Sequence, residues 1–363
     1  MANFNFVYNA LDVDIHIPVD DYVLLEFTPH DINDPADFIS RLSNSISNTL
    51  TATADTLVIL NAMAWNLDEN IGWIAPLNSF ADCTSNKIMV INGRLNNVSY
   101  NLRLPELKFG LYRINQFSQF ANLIYDKQVE VSGRDTTQDI HYPKDKKLYW
   151  ANTKDICWRR YMLAGLHNNN VIKDSLVNYK CIVSDIPGDI RTSNQSVKQH
   201  VISECDSVQD IVPLPALDDT IEVEHTDCKF HLRTFVGLTV ETFYECEGVF
   251  FSEKVFNSIA YKQIFFYVGA QGALDWLRTH RGYNTFDHII DTSYDNIQDN
   301  WERLIAARKS LLDFINQPIE KIAEIYNDCK PLIEQNFEIF RDEGFPNDLY
   351  YTIEYHLNNE KAT

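Results

Sequence analysis

The chain has 363 residues, 23% of them charged and 45% apolar, which describes a soluble globular protein long enough for two ordinary domains. Its formal net charge of −20 favours solubility and repels polyanions, and so argues against broad non-specific nucleic-acid binding. A local basic cleft stays open to it, from Arg159-Arg160 or from Lys254, Lys262, Arg278 and Arg281.

No apolar run is long enough for a transmembrane helix, and MANFNFVYNALDVDIHIP has neither the basic nor the apolar part of a signal peptide, so a cytoplasmic protein is expected. If the chain is phage-encoded, that is the host cytoplasm. The seven cysteines are scattered without a CxxC or CxxxH pair, which predicts reduced thiols and no structural metal. Asp12-Val13-Asp14 matches the DxD of metal-dependent transferases, but VDIHI alternates like a half-exposed strand, and in a chain with 51 acids the strand is the better reading.

In chain order, YVLLEF (22–27), LVILNAMAW (57–65) and KIMVING (87–93) read as buried strands. Residues 34–50, with an Asp-Pro start and Phe38, Ile39, Leu42 and Ile46 at helical spacing, read as a helix, as does FSQFANLIYD (117–126). Strands alternating with helices predict a parallel sheet with crossovers, whose working edge lies at the carboxyl ends of the strands, here loops 28–34 and 61–70. The polar segment 127–147 reads as a linker. The cycle then restarts with a strand KLYWAN (147–152), a helix ICWRRYMLAGLHNN (156–169), a strand KCIVSD (180–185), a polar insertion to about 225 and a strand FHLRTFVGLTVET (230–242). WERLIAARKSLLDFIN (301–316) and the segment after Pro318 read as C-terminal helices, and NNEKAT as a fraying end.

Two places carry chemistry. In FFSEKVFNSIAYKQIFFYVGAQGAL (250–274), Ser252 is placed as the N-cap of a helix, with Glu253 and Lys254 in its first turn. Glu suits the positive end of a helix dipole and Lys does not, unless an anion such as a pyrophosphate lies nearby. A capping Glu253 beside a solvated Lys254 is the ordinary alternative. The strand IFFYVG that follows closes on a glycine turn and a second helix start, a geometry that presents backbone N–H groups to phosphate, although GxGxxG and Walker patterns are missing. The second place is KLYWANTKDICWRRYMLAGL, with Asn152 at a strand's carboxyl end and Arg159 in the first turn of the next helix. Arg159 suits bidentate phosphate contact, and equally a surface ion pair.

Residues 146 to 316 carry an ordered series: KLYWAN…WRRYMLAGL, TVET (239–242), SEK (252–254), YVG (267–269), LDWLR (274–278), GYNTF (282–286), DTSYD (291–295) and Arg303. In that order it resembles the carboxy-terminal half of GT-B glycosyltransferases, in particular the α1,3-fucosyltransferase type and its virus- and phage-encoded relatives. Two departures are visible. Tyr261-Lys262-Gln263 stands where the family has a small residue and a glycine, and His280-Arg281 precedes Gly282 as an insertion.

The resemblance implies an α/β, GT-B fold: two Rossmann-like domains facing across a cleft, with C-terminal helices. The acceptor side would be 1–145, the nucleotide-sugar domain 146–316 and a helical segment 317–363. It implies a metal-independent glycosyltransferase that uses a nucleotide-diphosphate sugar as donor substrate and no bound cofactor. Glu253 would contact the donor ribose, and Lys254 and Arg159 the diphosphate. Asn152 and Glu241 would line the same cleft, with Ser252 and Gly269 at its helix and strand ends. The acceptor hydroxyl would belong to a hydroxymethylated base of phage DNA, which the charge opposes but the phage-type likeness puts ahead, or alternatively to a surface glycan. An inverting reaction needs a base. His30, Asp31, Asp68 and Glu69 stand at strand carboxyl ends, and Asp68 and Glu69 follow the more apolar strand. A binding protein on a degenerate GT-B scaffold is the alternative, and the survival of Arg159, Glu253 and Lys254 favours the enzyme.

Overall fold

The computed structural model describes residues 2–8, 11–17, 22–26, 57–62, 78, 87–92, 110–113, 144–185, 194–214, 228–242, 244–245 and 249–342. The helices expected over 34–50 and 117–126, most of the linker, loop 28–34 with His30 and Asp31, Asp68 and Glu69, and the C-terminal NNEKAT lie outside the described residues. The chain divides into two compact units, Met1–Gln116 with Gly344–Thr363, and Phe117–Glu343.

In the first unit, β1 (Ala2–Tyr8) and β2 (Leu11–Ile17) form an antiparallel pair, with Asp12 opposite Val7 and Asp14 opposite Asn5. The DxD triplet therefore lies within a strand. The apolar runs at 22–27, 57–65 and 87–93 become β3 (Tyr22–Glu26), β4 (Leu57–Ala62) and β5 (Lys87–Asn92), joined by β6 (Gly110–Arg113). All pair in parallel in the order β3-β4-β5-β6.

The second unit carries another parallel sheet, of β7 (Lys146–Ile156), β8 (Leu176–Asp185), β9 (Thr234–Val240) and β10 (Ile264–Val268), in the order β10-β9-β7-β8. The mixed α/β class with parallel sheets is thus as expected. Chain order reverses between β7 and β9. Such a switch point leaves a crevice at the carboxyl ends of the two strands, because the connections leave in opposite directions there. The pairing shows it opening: β7 meets β9 at Lys146–Thr234, Leu148–Val236 and Tyr149–Gly237, then runs on to Ile156 beside β8.

Among the described residues, seven helices surround this sheet: α1 (Cys157–Asn168), α2 (Gln195–Asp206), α3 (Cys228–Leu232), α4 (Glu253–Ala260), α5 (Ala273–Trp276), α6 (Asn300–Ile315) and α7 (Ile319–Asp342). Three details differ from the expectation. The insertion after β8 contains α2, a mostly polar helix that buries only Val201 and Cys205 and is capped by Asn194, whose side chain accepts from Ser196 and Val197 N–H. FHL at 230–232 closes helix α3 rather than opening a strand, and Thr234 Oγ1 donates back to the Phe230 carbonyl at 2.9 Å to end it. Strand β7 continues past Asn152, which sits where its register with β8 shifts.

The core is aromatic. β9 and β10 are buried along their whole lengths, and Phe251, Phe256, Phe265, Phe266, Tyr267 and Tyr283 are essentially inaccessible. Gly237 in β9 lets α4 approach. A Cβ there would collide with Ser258 Oγ and come within 2.7 Å of Gln263 Oε1. Lys262, just past α4, adopts a left-handed φ of 54°, a conformation that glycine takes more easily than lysine. Its ammonium is held by Glu334 at 2.9 Å and lies over the Phe337 ring, which offsets the roughly 1 kcal/mol cost of that backbone.

Gly237→Ala should overpack the α4–β9 contact and lower stability by about 1–3 kcal/mol. Urea unfolding should show a lower midpoint with an unchanged slope, and an unaltered midpoint would mean that α4 does not lie this close.

Candidate functional site

The site is built at the switch-point crevice, from the chain that leaves β7 and the chain that leaves β9. Arg159, in the first turn of α1, is 3% exposed. Its Nε donates to the Val240 carbonyl at 2.8 Å, Nη1 to Asn152 Oδ1 at 2.6 Å and Nη2 to Thr242 Oγ1 at 2.9 Å. One guanidinium thus ties the bulged part of β7 to the end of β9 where the strands no longer pair. Asn152 is fixed in turn by donating Nδ2 to the Lys154 carbonyl at 2.8 Å. Burial lowers the Arg159 pKa from its ordinary value, opposed chiefly by the carboxylate of Glu241 and, more weakly, by that of Glu253.

Glu241 follows β9 directly and is 1% exposed. Its N–H donates to the Val268 carbonyl at 2.9 Å, extending the β9–β10 ladder by one step. Its carbonyl accepts from the Trp158 indole at 2.8 Å, which sets that half-buried ring beside Arg159. Its carboxyl reaches α4: Oε1 accepts from Ser252 N at 2.7 Å and from Ser252 Oγ at 2.9 Å. Burial raises its pKa to about 7, against the Ser252 hydrogen bonds and the charge of Lys254, which work to lower it.

Ser252 occupies the N-cap position expected for it, with extended backbone angles, but its side chain caps nothing. The hydroxyl is turned to Glu241. The first turn of α4 therefore has no cap from Ser252, and its only side-chain acceptor among the described residues is the Glu253 carboxylate, which takes the N–H of its own residue. Lys254 pairs with Glu253 through a short contact, and their side chains are 30% and 25% exposed, far more than the rest of the cluster. For Glu253, burial works to raise the pKa, but Lys254, and more weakly Arg159, bring it below its ordinary value.

Of the residues that sequence reasoning singled out, Asn152, Arg159, Glu241, Ser252, Glu253 and Lys254 thus come together in one hydrogen-bonded and electrostatically coupled set. Trp158 and Thr242 join them and were not singled out, although both adjoin residues that were. Gly269 follows β10 with its backbone under the Tyr267 ring, which a Cβ there would strike, so packing calls for a glycine here.

Elsewhere, groups expected to be open to a ligand are occupied by the protein itself. The helix start after the glycine turn does not offer free N–H groups to phosphate. Asp295 occupies it, with Oδ2 accepting from Asp275 N at 3.1 Å and its carbonyl from Gly272 N at 2.9 Å. The basic residues do not form one face either. Arg160 pairs with Asp155, Lys262 with Glu334 and Arg278 with Asp287, while Arg281 lies over the Trp276 ring. The later motifs are structural where they are described. Gly282 takes a left-handed φ of 76°, Tyr294 donates to the Tyr267 carbonyl, and Arg303 donates to the carbonyls of Ile297 and Tyr244. Among the described residues no helix is long and apolar enough to cross a membrane, and no group of three His, Cys, Asp or Glu could hold a metal ion.

No family model and no curated protein matches the chain. Among solved structures it is similar to a UDP-forming α,α-trehalose-phosphate synthase from Burkholderia xenovorans, with 11% identity, a TM-score of 0.43, and 87% of this chain and 78% of that chain covered. An α,α-trehalose 6-phosphate synthase from Burkholderia multivorans gives 11% identity, a TM-score of 0.45, and 92% and 78% coverage. The trehalose-6-phosphate synthase OtsA gives 10% identity, a TM-score of 0.42, and 91% and 76% coverage.

The Glu241 carboxyl has a stability consequence. Unfolded, it ionises near 4.5; folded, near 7. Between these values the folded chain holds more protons, so stability from this group is complete below about pH 4.5 and declines as pH rises to about 7, by at most about 3 kcal/mol. Glu241→Gln keeps the acceptor for Ser252 and removes the titration. Its melting temperature should exceed wild type at pH 8, with the difference closing by pH 5. A difference that stayed constant across that range would show that Glu241 is ionised normally.

Proposed function

We propose that the second unit binds the nucleoside diphosphate of a nucleotide-sugar, and that the protein is a metal-independent glycosyltransferase of the GT-B type moving the sugar to a hydroxyl acceptor. The observation that carries this reading is the convergence at one switch-point crevice of a helix N-terminus without a cap from Ser252, an accessible lysine in its first turn and a buried arginine behind it. Together these give a directional positive field at the place where open α/β sheets bind ligands. Departure of the sugar leaves negative charge on the diphosphate, and fixed positive groups that meet it there lower the barrier.

In this reading Lys254 is the direct partner of the diphosphate, because its side chain is the exposed cation of the set. Arg159, with all three nitrogens engaged by the protein, acts from beneath as buried charge and as the tie that holds the crevice. Arrival of a diphosphate draws Lys254 from Glu253, whose carboxylate then accepts from the ribose hydroxyls. The Trp158 ring, fixed through Glu241, stands at the same place as an apolar wall. The likeness of SEK and its neighbours to the fucosyltransferase and phage-type series supports the same assignment, and Asp68 and Glu69 remain the proposed candidates for the base. Of the two acceptors implied by that likeness, a glycan hydroxyl accords better with a net charge of −20 and with cations that are paired to local acids.

The test is a thermal-shift screen with UDP-, GDP- and ADP-linked sugars, with a CMP-linked sugar, which carries one phosphate, as control. A ligand at a hundred times its Kd stabilises the fold by about 2.7 kcal/mol, which is a rise of several degrees. At least one diphosphate sugar should give that rise and the CMP-sugar should not. Lys254→Ala should remove the rise while leaving the ligand-free melting temperature nearly unchanged, since a partly exposed side chain contributes little to stability. If no diphosphate sugar shifts the folded protein, or if Lys254→Ala binds like wild type, the donor site is wrongly assigned.

A further inference from the structure

Glu241 is the one ionisable member of this cluster whose chemistry the donor-site reading leaves unused. An acid in a site built for an anion should repel its ligand, and burial makes that repulsion stronger because water does not screen it. Its presence therefore needs a reason.

The geometry supplies one. Oε1 receives both hydrogen bonds from Ser252, and no described residue donates to Oε2. The double acceptance holds the residue before α4 in place and turns the Ser252 hydroxyl away from the helix, so that the first turn has no cap from Ser252. The charged groups that face Glu241 are Arg159 from α1, and Lys254 and Glu253 from α4. From β10 it meets the Val268 carbonyl, which accepts its backbone N–H. In the free protein the two cations and Glu253 leave one positive charge over, enough to tolerate Glu241 as a carboxylate. A diphosphate brings at least two negative charges to Lys254 and the α4 N-terminus. With Glu241 charged the site then carries about two more negative charges than positive ones, and neutralising Glu241 halves that excess.

We infer that Glu241 is a positioning residue that sets the N-terminus of α4 for the diphosphate and takes up a proton from solvent when the diphosphate binds. Protonation removes the repulsion from Glu241 itself and turns Oε2 from an idle acceptor into an O–H donor, while Oε1 continues to hold Ser252. The inference rests on the donor-site reading and deepens it, since it makes ligand affinity depend on pH through one named carboxyl.

The test is calorimetric titration of the full-length protein with UDP, GDP and ADP at pH 7.5, in buffers of different ionisation enthalpy. The dependence of the observed heat on the buffer counts protons taken up. Wild type should take up about half a proton or more per nucleotide bound beyond what Glu241→Gln takes up, and this comparison cancels the ionisation of the nucleotide itself. The amide of Glu241→Gln mimics the protonated acid, accepting from Ser252 and offering an N–H in place of the O–H. Its affinity should match wild type at pH 6.5 and exceed it severalfold at pH 8.5. Glu241→Ala, which loses the hold on Ser252, should bind at least tenfold more weakly at both pH values. A carboxylate with a purely structural role would give these variants different melting temperatures but no difference in proton uptake. Nucleotide binding with equal uptake in wild type and Glu241→Gln would overturn the inference and leave the donor site standing. Binding of none of the three nucleotides would overturn both.

Discussion

A single buried guanidinium sets the conditions for the rest of this unit. Where β7 and β9 stop pairing, backbone and side-chain polar groups would face a dry gap, and unmet groups of that kind cost about 1–3 kcal/mol each. Arg159 fills the gap and satisfies three of them at once, in Val240, Asn152 and Thr242. Its charge must be balanced in turn, and the carboxyls of Glu241 and Glu253 are the balance within the protein. Removing Arg159 from this set would leave buried acceptors and carboxylates without their cation, a loss of about 3–5 kcal/mol. The crevice, the order of its charges and its position at the switch point therefore form one arrangement.

From that arrangement the properties of α4 follow. Glu241 is held by its place at the end of β9, and it takes the Ser252 hydroxyl that would ordinarily cap the helix. The helix then presents the positive end of its dipole beside Lys254, an unfavourable neighbour unless an anion is shared between them. Pairing with Glu253 is the protein's own way of reducing that conflict while no anion is bound. In the proposed donor site, a bound diphosphate would resolve it more completely. Close packing keeps the geometry sharp: Gly237 allows α4 against β9, and Tyr267 hydrogen-bonds to the Phe250 carbonyl two residues before the N-cap.

Much of the fold could be read locally because apolar runs and helical spacing are local signals. YVLLE, LVILNA, KIMVIN and IFFYV form the strands expected of them, and α4 and α6 begin within a residue of their expected starts. The failures share a cause in tertiary contact. FHL at 230–232 has strand-like composition but closes a short helix whose end is tied by Thr234. Helix α2 shows only two buried residues and so little apolar pattern. Of the site, the residue types at SEK and WRR were legible, because a lysine in a first turn and an arginine after a strand are chemically unusual. The glycine turn after β10 misled, since only the fold brings Asp295 to the helix start beyond it. Likewise, nothing in TVET shows that its glutamate reaches Ser252, because that contact depends on how β9 and α4 are packed.

In the proposed mechanism the Lys254–Glu253 pair is the resting state of a diphosphate site. A crystal structure grown with the nucleotide-sugar that gives the largest thermal shift would decide whether it is. Diphosphate oxygens should then lie on Lys254 Nζ and on the first-turn N–H groups of α4, with Lys254 parted from Glu253 and Arg159 still bound to Asn152, Val240 and Thr242. An intact Lys254–Glu253 pair, with the nucleotide bound elsewhere on the molecule, would contradict it.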